Sequence, residues 1–274
     1  MTHRIAVIGT GFTPTGQRIP PPEIAANMSS GFSAELIETR MSLFPGTPFE
    51  RGLGAIGYIE AGIRAQDEGF DAVLINTVGD YGIDELKSAL RIPVVGAGEA
   101  AMTMATMLGR RFAVVTIWPT SLNFIYDERV RNCGMSARCL GVFNVLSESE
   151  MAPRGSDVDP VHDMRAGKAA MLDRIVAAAD RAVAAGADTI VLGCTCMAPI
   201  GHLIAARMGV PVVEAMTAGY KFAEMLLAMR LSQSPAAYPP VDADRLAVAR
   251  KLVNGGDGAP PSELECETCV AAAE

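Results

Sequence analysis

The sequence predicts an α/β protein of two pseudo-symmetric lobes, each a parallel sheet flanked by helices, arising from an internal duplication. Two observations carry this. Short β-branched runs alternate with longer Ala/Leu/Met segments, the pattern of strands buried on both faces and separated by helices. The landmarks of residues 4–98 then recur in the same order within residues 111–215.

Strands are expected at 4–9, 34–39, 72–76, 94–95, 112–116, 137–143, 189–193 and 212–214. Helices are expected between them, at 49–68, 84–90, 99–108, 122–133, 163–184, 200–208 and 218–230. Beyond Arg230 the breaker-rich stretches SPAAYPP and NGGDGAPP flank a short helix expected at 242–252. Residues 254–274 read as a loose tail.

The repeat is specific. Gly69-Phe-Asp-Ala-Val-Leu-Ile-Asn-Thr77 matches Gly186-Ala-Asp-Thr-Ile-Val-Leu-Gly-Cys194. Each segment reads G-x-D, an apolar strand, then a small side chain eight positions after the glycine. Pro93-Val-Val and Pro211-Val-Val follow 16 and 17 residues later. Upstream, Arg4-Ile-Ala-Val-Ile-Gly9 matches Arg111-Phe-Ala-Val-Val-Thr116.

Composition narrows the function. With 274 residues, 50% hydrophobic and 20% charged, the chain can bury a sizeable core and is not a disordered polypeptide. Its 23 basic and 31 acidic residues give a net charge of −8, the wrong sign for a phosphate backbone, so nucleic acid is excluded as a partner. No apolar run reaches the ~18–20 residues needed to span a bilayer, so no membrane is expected either. The start, MTHRIAVIGTGF, reads as a first strand and not as a targeting segment, and a cytoplasmic location is expected. In that setting the six cysteines read as free thiols. Met-rich helices such as 101–108 fit the core or a subunit contact, which leaves a homo-oligomer open.

The repeat also locates candidate chemistry. In open parallel sheets, ligands bind beyond the carboxyl ends of strands. Thr77 and Cys194 fall just past equivalent strand ends. Copies that face each other would set these side chains across one cleft, with a proton-handling group on each side. Cys194, in Leu192-Gly-Cys-Thr-Cys-Met197, precedes an expected helix, whose N-terminus and backbone N–H groups lower a thiol pKa. A free cysteine is more often a small buried hydrophobe; its repeat position after a glycine favours chemistry. Cys196 would point to the opposite face of an extended backbone. Thr77 is a poor base unaided and equally suits a turn. Thr10 and Gly11, in Gly9-Thr-Gly-Phe-Thr13, together with Val78, Thr116 and Thr195, are candidates to bind the polar group of a substrate. Asp80, Tyr81, Trp118 and Tyr126 are further candidates to shape the pocket wall.

Other chemistry is poorly supported. The GTG lacks the third glycine of a dinucleotide fingerprint. His3, His162 and His202 show no metal-ligand spacing, and the Cys266/Cys269 pair in the tail has no second pair to complete a site. No metal and no cofactor are expected. Cys133 and Cys139 read as structural.

Taken together, Thr77-Val-Gly-Asp-Tyr-Gly82, Ile92-Pro-Val-Val-Gly96, Glu99-Ala-Ala, Arg111-Phe-Ala-Val-Val-Thr116 and Leu192-Gly-Cys-Thr195 resemble the Asp/Glu/hydantoin racemase superfamily, most closely its hydantoin-racemase-like branch, over about residues 4–230. The resemblance implies a cofactor-independent enzyme acting on a small carboxylate or cyclic amide at a site between two lobes. It implies lobe 1 at 1–98 plus 212–253 and lobe 2 at 99–211. In such racemases two cysteines handle protons on opposite faces of the substrate carbon. Cys194 matches the second cysteine, and Thr77 stands where the first is expected.

The leading reading is therefore a racemase or epimerase acting at a carbon next to a carboxylate or ring carbonyl. Cys194 is then the main acid/base and Thr77 its partner. A lyase or decarboxylase with Cys194 as sole proton donor is the alternative within the same superfamily. A non-catalytic small-molecule binding protein, in which Cys194 only packs, is the third reading.

Overall fold

A computed structural model describes residues 2–9, 17–41, 43–151, 159–242, 244–246, 248 and 251. Thr10, Gly11, the 254–274 tail and its Cys266 and Cys269 lie outside the described residues.

The first copy contributes β1 (His3–Gly9), α1 (Pro22–Asn27), β2 (Phe32–Glu38), α2 (Pro48–Asp67), β3 (Ala72–Ile75), α3 (Ile83–Ala89) and β4 (Val94–Gly96). Next come α4 (Ala97–Leu108), β5 (Phe112–Thr116), α5 (Asn123–Asn132), β6 (Cys139–Asn144), α6 (Pro160–Arg165) and α7 (Ala169–Ala184). The chain continues through β7 (Thr189–Leu192), α8 (Gly201–Ala205), β8 (Val212–Val213) and α9 (Ala215–Met229). Among the described residues the strands form two four-stranded parallel sheets, ordered β2-β1-β3-β4 and β6-β5-β7-β8. The two orders are the same once the second copy is counted from β5. This is the duplication expected from the sequence.

The repeat persists at the level of single hydrogen bonds. Gly69 and Gly186 adopt φ +77° and +101°, a region open to glycine at little cost, and so turn each chain from helix into strand. Two residues on, the aspartates clamp the neighbouring strand. Asp71 Oδ2 accepts the Arg4 N–H at 2.7 Å, and the Asp71 N–H donates to the Arg4 carbonyl at 2.8 Å. In the second copy Asp188 Oδ1 and Oδ2 accept the Arg111 and Arg110 N–H groups at 3.0 and 2.8 Å. The Asp188 N–H donates to the Arg111 carbonyl at 2.9 Å. At the far strand ends, the Asn76 N–H donates to the Ile8 carbonyl and the Gly193 N–H to the Val115 carbonyl, both at 2.8 Å.

The central strands read as continuous apolar runs because both faces are covered. Ile5–Ile8, Ala72–Ile75, Phe112–Val115 and Ile190–Leu192 are all essentially inaccessible. Helices α2 and α3 pack on the first sheet, and α4 and α7 pack on the second. Helix α2 starts at Thr47, whose Oγ1 accepts the Glu50 N–H at 3.2 Å, with Pro48 in the first turn where no N–H is needed. Helix α9 starts under Glu214, whose carboxylate accepts the Met216 and Thr217 N–H groups at 2.6 and 2.8 Å. Farther along α9, the buried Glu224 carboxylate takes the Ser29 N–H and hydroxyl at 2.8 and 2.7 Å and Lys221 Nζ at 2.7 Å. Burial works to raise its pKa, but these donors outweigh burial and hold it below the usual carboxylate range.

The described residues divide into two compact units, one drawn from those up to Asn76, from Asp80–Gly96 and from Gly219 onward, the other from Thr77–Gly79 and those within Ala97–Ala218. The return point thus lies at Gly219, later than the expected 212. Val212 and Val213 pair with Ile190 and Val191, completing the second sheet as Val94 and Val95 complete the first. The single helix expected at 163–184 is split into α6 and α7, because Gly167 takes φ +65° and breaks the ladder. The helix expected at 200–208 is present as the shorter α8, and it is preceded by an unexpected 3-10 turn over Thr195–Ile200 that contains Pro199. Helix α1 was not expected; Pro22 stands in its first turn, where proline is tolerated. Of the helix expected at 242–252, the described residues 244–246, 248 and 251 are helical and Asp242 is not, and Leu246 packs on the core of the first unit. Among the described residues no helix is long and apolar enough to cross a membrane.

The aspartate clamp predicts an acid-sensitive stability. The Arg110 N–H, chiefly, and the Arg111 N–H hold the Asp188 carboxyl below its usual pKa, against desolvation. A lowered folded pKa stabilises the fold above the unfolded value of about 4, and this contribution is lost as pH falls through the folded value. Asp188→Asn is expected to lower Tm at neutral pH and to flatten the fall of Tm below about pH 4, measured by calorimetry across that range.

Candidate functional site

The two candidate proton-handling residues occupy matched turns. Thr77 follows β3 and Asn76; Cys194 follows β7 and Gly193. In the first turn the Gly79 N–H donates to Thr77 Oγ1 at 3.3 Å. In the second the Cys196 N–H donates to Cys194 Sγ at 3.2 Å. Both are the side-chain-to-backbone turn that small polar residues make with the second residue after them. Thr77 and Cys194 are half-buried, while the next residues, Val78 and Thr195, turn their side chains inward and are 3% and 8% exposed. Thr77–Gly79 also belongs to the compact unit that carries Cys194, although it directly follows a strand of the first sheet.

Cys194 and Cys196 are joined by a disulfide with their Cα atoms 5.1 Å apart. This corrects the expectation that both are free thiols aimed at opposite faces: residues two apart share a face even of an extended chain. Cys194 itself is extended, at φ −142° and ψ 134°, but the 3-10 turn opens at Thr195 and curls Cys196 back within bridging reach. Cys133 and Cys139 are not disulfide-bonded, and burial, chiefly, pushes the Cys139 thiol up.

The structure gives Thr116 a place different from the expected substrate contact. Its side chain is fully buried. The Trp118 N–H donates to Thr116 Oγ1 at 3.3 Å, and Thr116 Oγ1 lies 2.7 Å from Tyr126 Oη. Tyr126 Oη donates its only proton to the Gly193 carbonyl at 2.8 Å, so the Thr116 hydroxyl must donate to Tyr126. Tyr126 is correspondingly buried, at 1% exposure, and is not part of an open wall. Sequence reading missed its bond to the residue before Cys194; its only trace was an aromatic in α5, ten positions from Thr116.

Asp80 completes the Thr77 turn. It takes φ +47°, rare for a non-glycine residue, and its carbonyl accepts the Ile83 N–H at 3.1 Å at the start of α3. Its buried carboxylate lies against Gly96, where an added Cβ would stand 2.3–2.7 Å from the carboxylate atoms. His162 and His202 are exposed on α6 and α8. Among the described residues no group of three or more His, Cys, Asp or Glu is arranged to hold a metal ion.

Two copies of one parallel α/β unit, with a hydroxyl and a sulfur at matching strand ends, define an enzyme of the racemase fold. The chain belongs to the Asp/Glu/hydantoin racemase family, whose profile, described as Asp/Glu/Hydantoin racemase, matches residues 47–223. It is 32% identical over 180 residues to the hydantoin racemase of Pseudomonas sp. (strain NS671), covering 65% of this chain and 67% of that protein. It is 32% identical over 190 residues to the hydantoin racemase of Paenarthrobacter aurescens, covering 69% and 75%. The crystal structure of allantoin racemase from Pseudomonas fluorescens matches with a TM-score of 0.71 at 27% identity, covering 87% of this chain and 97% of that one.

Gly193 offers a direct test of the site's packing. A Cβ there would stand 2.8 Å from Thr116 Cβ and 2.9 Å from Val114 Cγ1, both on β5. Gly193→Ala is expected to cost about 1–3 kcal/mol of stability, the usual range for overpacking. Denaturant unfolding with an unchanged slope would report it.

Proposed function

We propose that the protein is a cofactor-independent racemase acting at the stereogenic ring carbon of a five-membered cyclic amide of the hydantoin type. Cys194 takes or delivers the proton on one face of that carbon, and Thr77 serves the other. One observation carries the reading: the duplicated turn presents Thr77 Oγ1 and Cys194 Sγ to equivalent backbone N–H donors, at 3.3 and 3.2 Å. A backbone N–H aimed at sulfur favours the thiolate over the thiol, which is what a base requires. The substrate class follows that of the relatives, which are hydantoin racemases and an allantoin racemase.

The chemistry needs a weak carbon acid and a base on each face. A ring carbonyl beside the reacting carbon delocalises the charge left when the proton departs. Backbone N–H groups at Val78 and Thr195 are the proposed donors to that developing oxyanion. A threonine hydroxyl is far less acidic than a thiol. Racemisation through Thr77 is therefore expected to show unequal kcat from the two enantiomers, offset by unequal KM because the equilibrium constant between enantiomers is one.

Thr77 also favours one second reading. With a single thiol, one-sided protonation of an enolate suffices for a decarboxylase or lyase of the same superfamily. Release of a fragment from the substrate would mark that reaction.

Cys194 can carry a proton only as a thiol. The Cys194–Cys196 bond must first accept two electrons and two protons from a thiol or phosphine reductant. Activity is expected only after reduction.

The test is proton NMR in D2O, with reduced protein and a panel of 5-substituted hydantoins, allantoin, aspartate, glutamate and an arylmalonate. Exchange of the ring proton with the skeleton intact, lost in Cys194→Ala, is the expected result. Cys194→Ala at wild-type rate would overturn it, as would carbon dioxide or fragment release in place of exchange. Thr77→Ser keeps the hydroxyl and is expected to retain most turnover, whereas Thr77→Cys is expected to raise the exchange rate.

A further inference from the structure

We propose that Tyr126 is a positioning residue for the Cys194 thiol, acting through the Gly193 carbonyl and itself oriented by Thr116. The inference rests on the reading of Cys194 as the proton-handling group. Gly193 is the residue with the widest backbone freedom and immediately precedes Cys194. Two bonds remove that freedom. Its N–H is held by the Val115 carbonyl at 2.8 Å, and its carbonyl by the Tyr126 hydroxyl at 2.8 Å.

The peptide joining Gly193 to Cys194 is planar and trans, so its carbonyl and the Cys194 N–H point to opposite sides. Fixing the carbonyl on Tyr126 therefore fixes the rotation of the whole plane. It also directs the Cys194 N–H away from Tyr126. Cys194 leaves this fixed plane at φ −142°, which fixes the direction of its Cβ; Sγ lies against the Cys196 N–H and is bonded to the Cys196 sulfur.

The donors run in one direction, from the Trp118 N–H to Thr116, from Thr116 to Tyr126, and from Tyr126 to Gly193. Each hydroxyl proton is committed, so neither hydroxyl can rotate without breaking a bond. The clamp is not a requirement of the repeated unit. In the first copy, Gly9 stands at the position of Thr116 and Asn76 at that of Gly193. Gly9 has no side chain to donate. The clamp thus belongs to the copy that carries the thiol.

Tyr126→Phe removes only the hydroxyl and keeps the ring that fills the core. The experiment uses the reduced full chain and compares wild type, Tyr126→Phe, Thr116→Val and Thr116→Ser. The first readout is iodoacetamide alkylation of Cys194 against pH, followed by peptide mass, with Cys133 and Cys139 as internal references. The second is kcat and KM on whichever panel compound the wild type turns over.

Tyr126→Phe is expected to move the Cys194 alkylation profile and leave those of Cys133 and Cys139 in place. It is expected to lower kcat about tenfold or more with KM little changed, as a misoriented reacting group does. Thr116→Val is expected to act in the same direction, and Thr116→Ser to restore wild-type behaviour. Folded Tyr126→Phe and Thr116→Val proteins with the wild-type Cys194 profile would overturn the proposal. If Tyr126→Phe fails to fold, the Thr116→Val and Thr116→Ser pair decides it. Absence of turnover in the wild type would sink the racemase reading, while the alkylation profiles would still decide the role of Tyr126.

Discussion

Each sheet of this protein depends on one interaction, the grip of a turn carboxylate on the first backbone N–H of the neighbouring strand. Asp71 holds Arg4 and Asp188 holds Arg111, and in both cases the aspartate's own N–H answers to the arginine's carbonyl. This starts the ladders β1/β3 and β5/β7 in a fixed register, with Ile5 opposite Ala72 and Phe112 opposite Thr189. Side chains alternate along a strand, so a slip of one residue would turn every buried side chain outward. The left-handed glycines two residues earlier let helix pass into strand at the point where the carboxylate is needed. Once the ladders start in register, Asn76 and Gly193 must meet Ile8 and Val115, and Thr77 and Cys194 must follow at the strand ends.

At the matched strand ends the two copies keep one backbone landmark and differ in the side chains that stand there. At one strand end stand Thr77 and Gly79; at the other, Cys194 and Cys196. The turn geometry is the same, with a backbone N–H two residues on reaching the hydroxyl or the sulfur. Chemically the two ends are unequal. A hydroxyl has a much higher pKa than a thiol, and only the sulfur can be oxidised. The second cysteine two positions along makes that oxidation intramolecular, and the 3-10 turn from Thr195 brings it within reach.

The polar chain through Thr116 and Tyr126 has a different character from the rest of the core. Apart from Thr189 at the start of β7, the rest of β5 and β7 is apolar, and a buried hydroxyl there is costly unless fully bonded. Each donor in this chain finds an acceptor, and the last acceptor is the carbonyl of Gly193. The tight packing of Gly193 against Thr116 and Val114 and the bond from Tyr126 act on the same residue. Together they leave the backbone before Cys194 one conformation.

Much of the fold was legible in the chain because it rests on local signals. Buried parallel strands read as unbroken β-branched runs, and the duplicated G-x-D segments mark the same turn twice, so the strands, the duplication and the equivalent positions of Thr77 and Cys194 followed from spacing, whereas the strand order came from the hydrogen-bonded ladders. Distances between residues far apart in sequence were not legible. Thr116 looked like a ligand-binding hydroxyl because its repeat partner borders the same strand end, and only the approach of Tyr126 from α5 shows that its proton is committed inside the core. Cys194 and Cys196 looked independent because two residues of extended chain hold Cα atoms about 6.5–7 Å apart, and it takes the bend at Thr195 to close that to 5.1 Å and bring the sulfurs together. The return of the chain at Gly219 in place of 212 has the same origin, since Val212 and Val213 can be assigned to a sheet only through their hydrogen bonds to β7. Periodicity and turn chemistry are written along the backbone one residue after another, whereas the partner of a hydroxyl, a sulfur or an edge strand is chosen by packing in three dimensions.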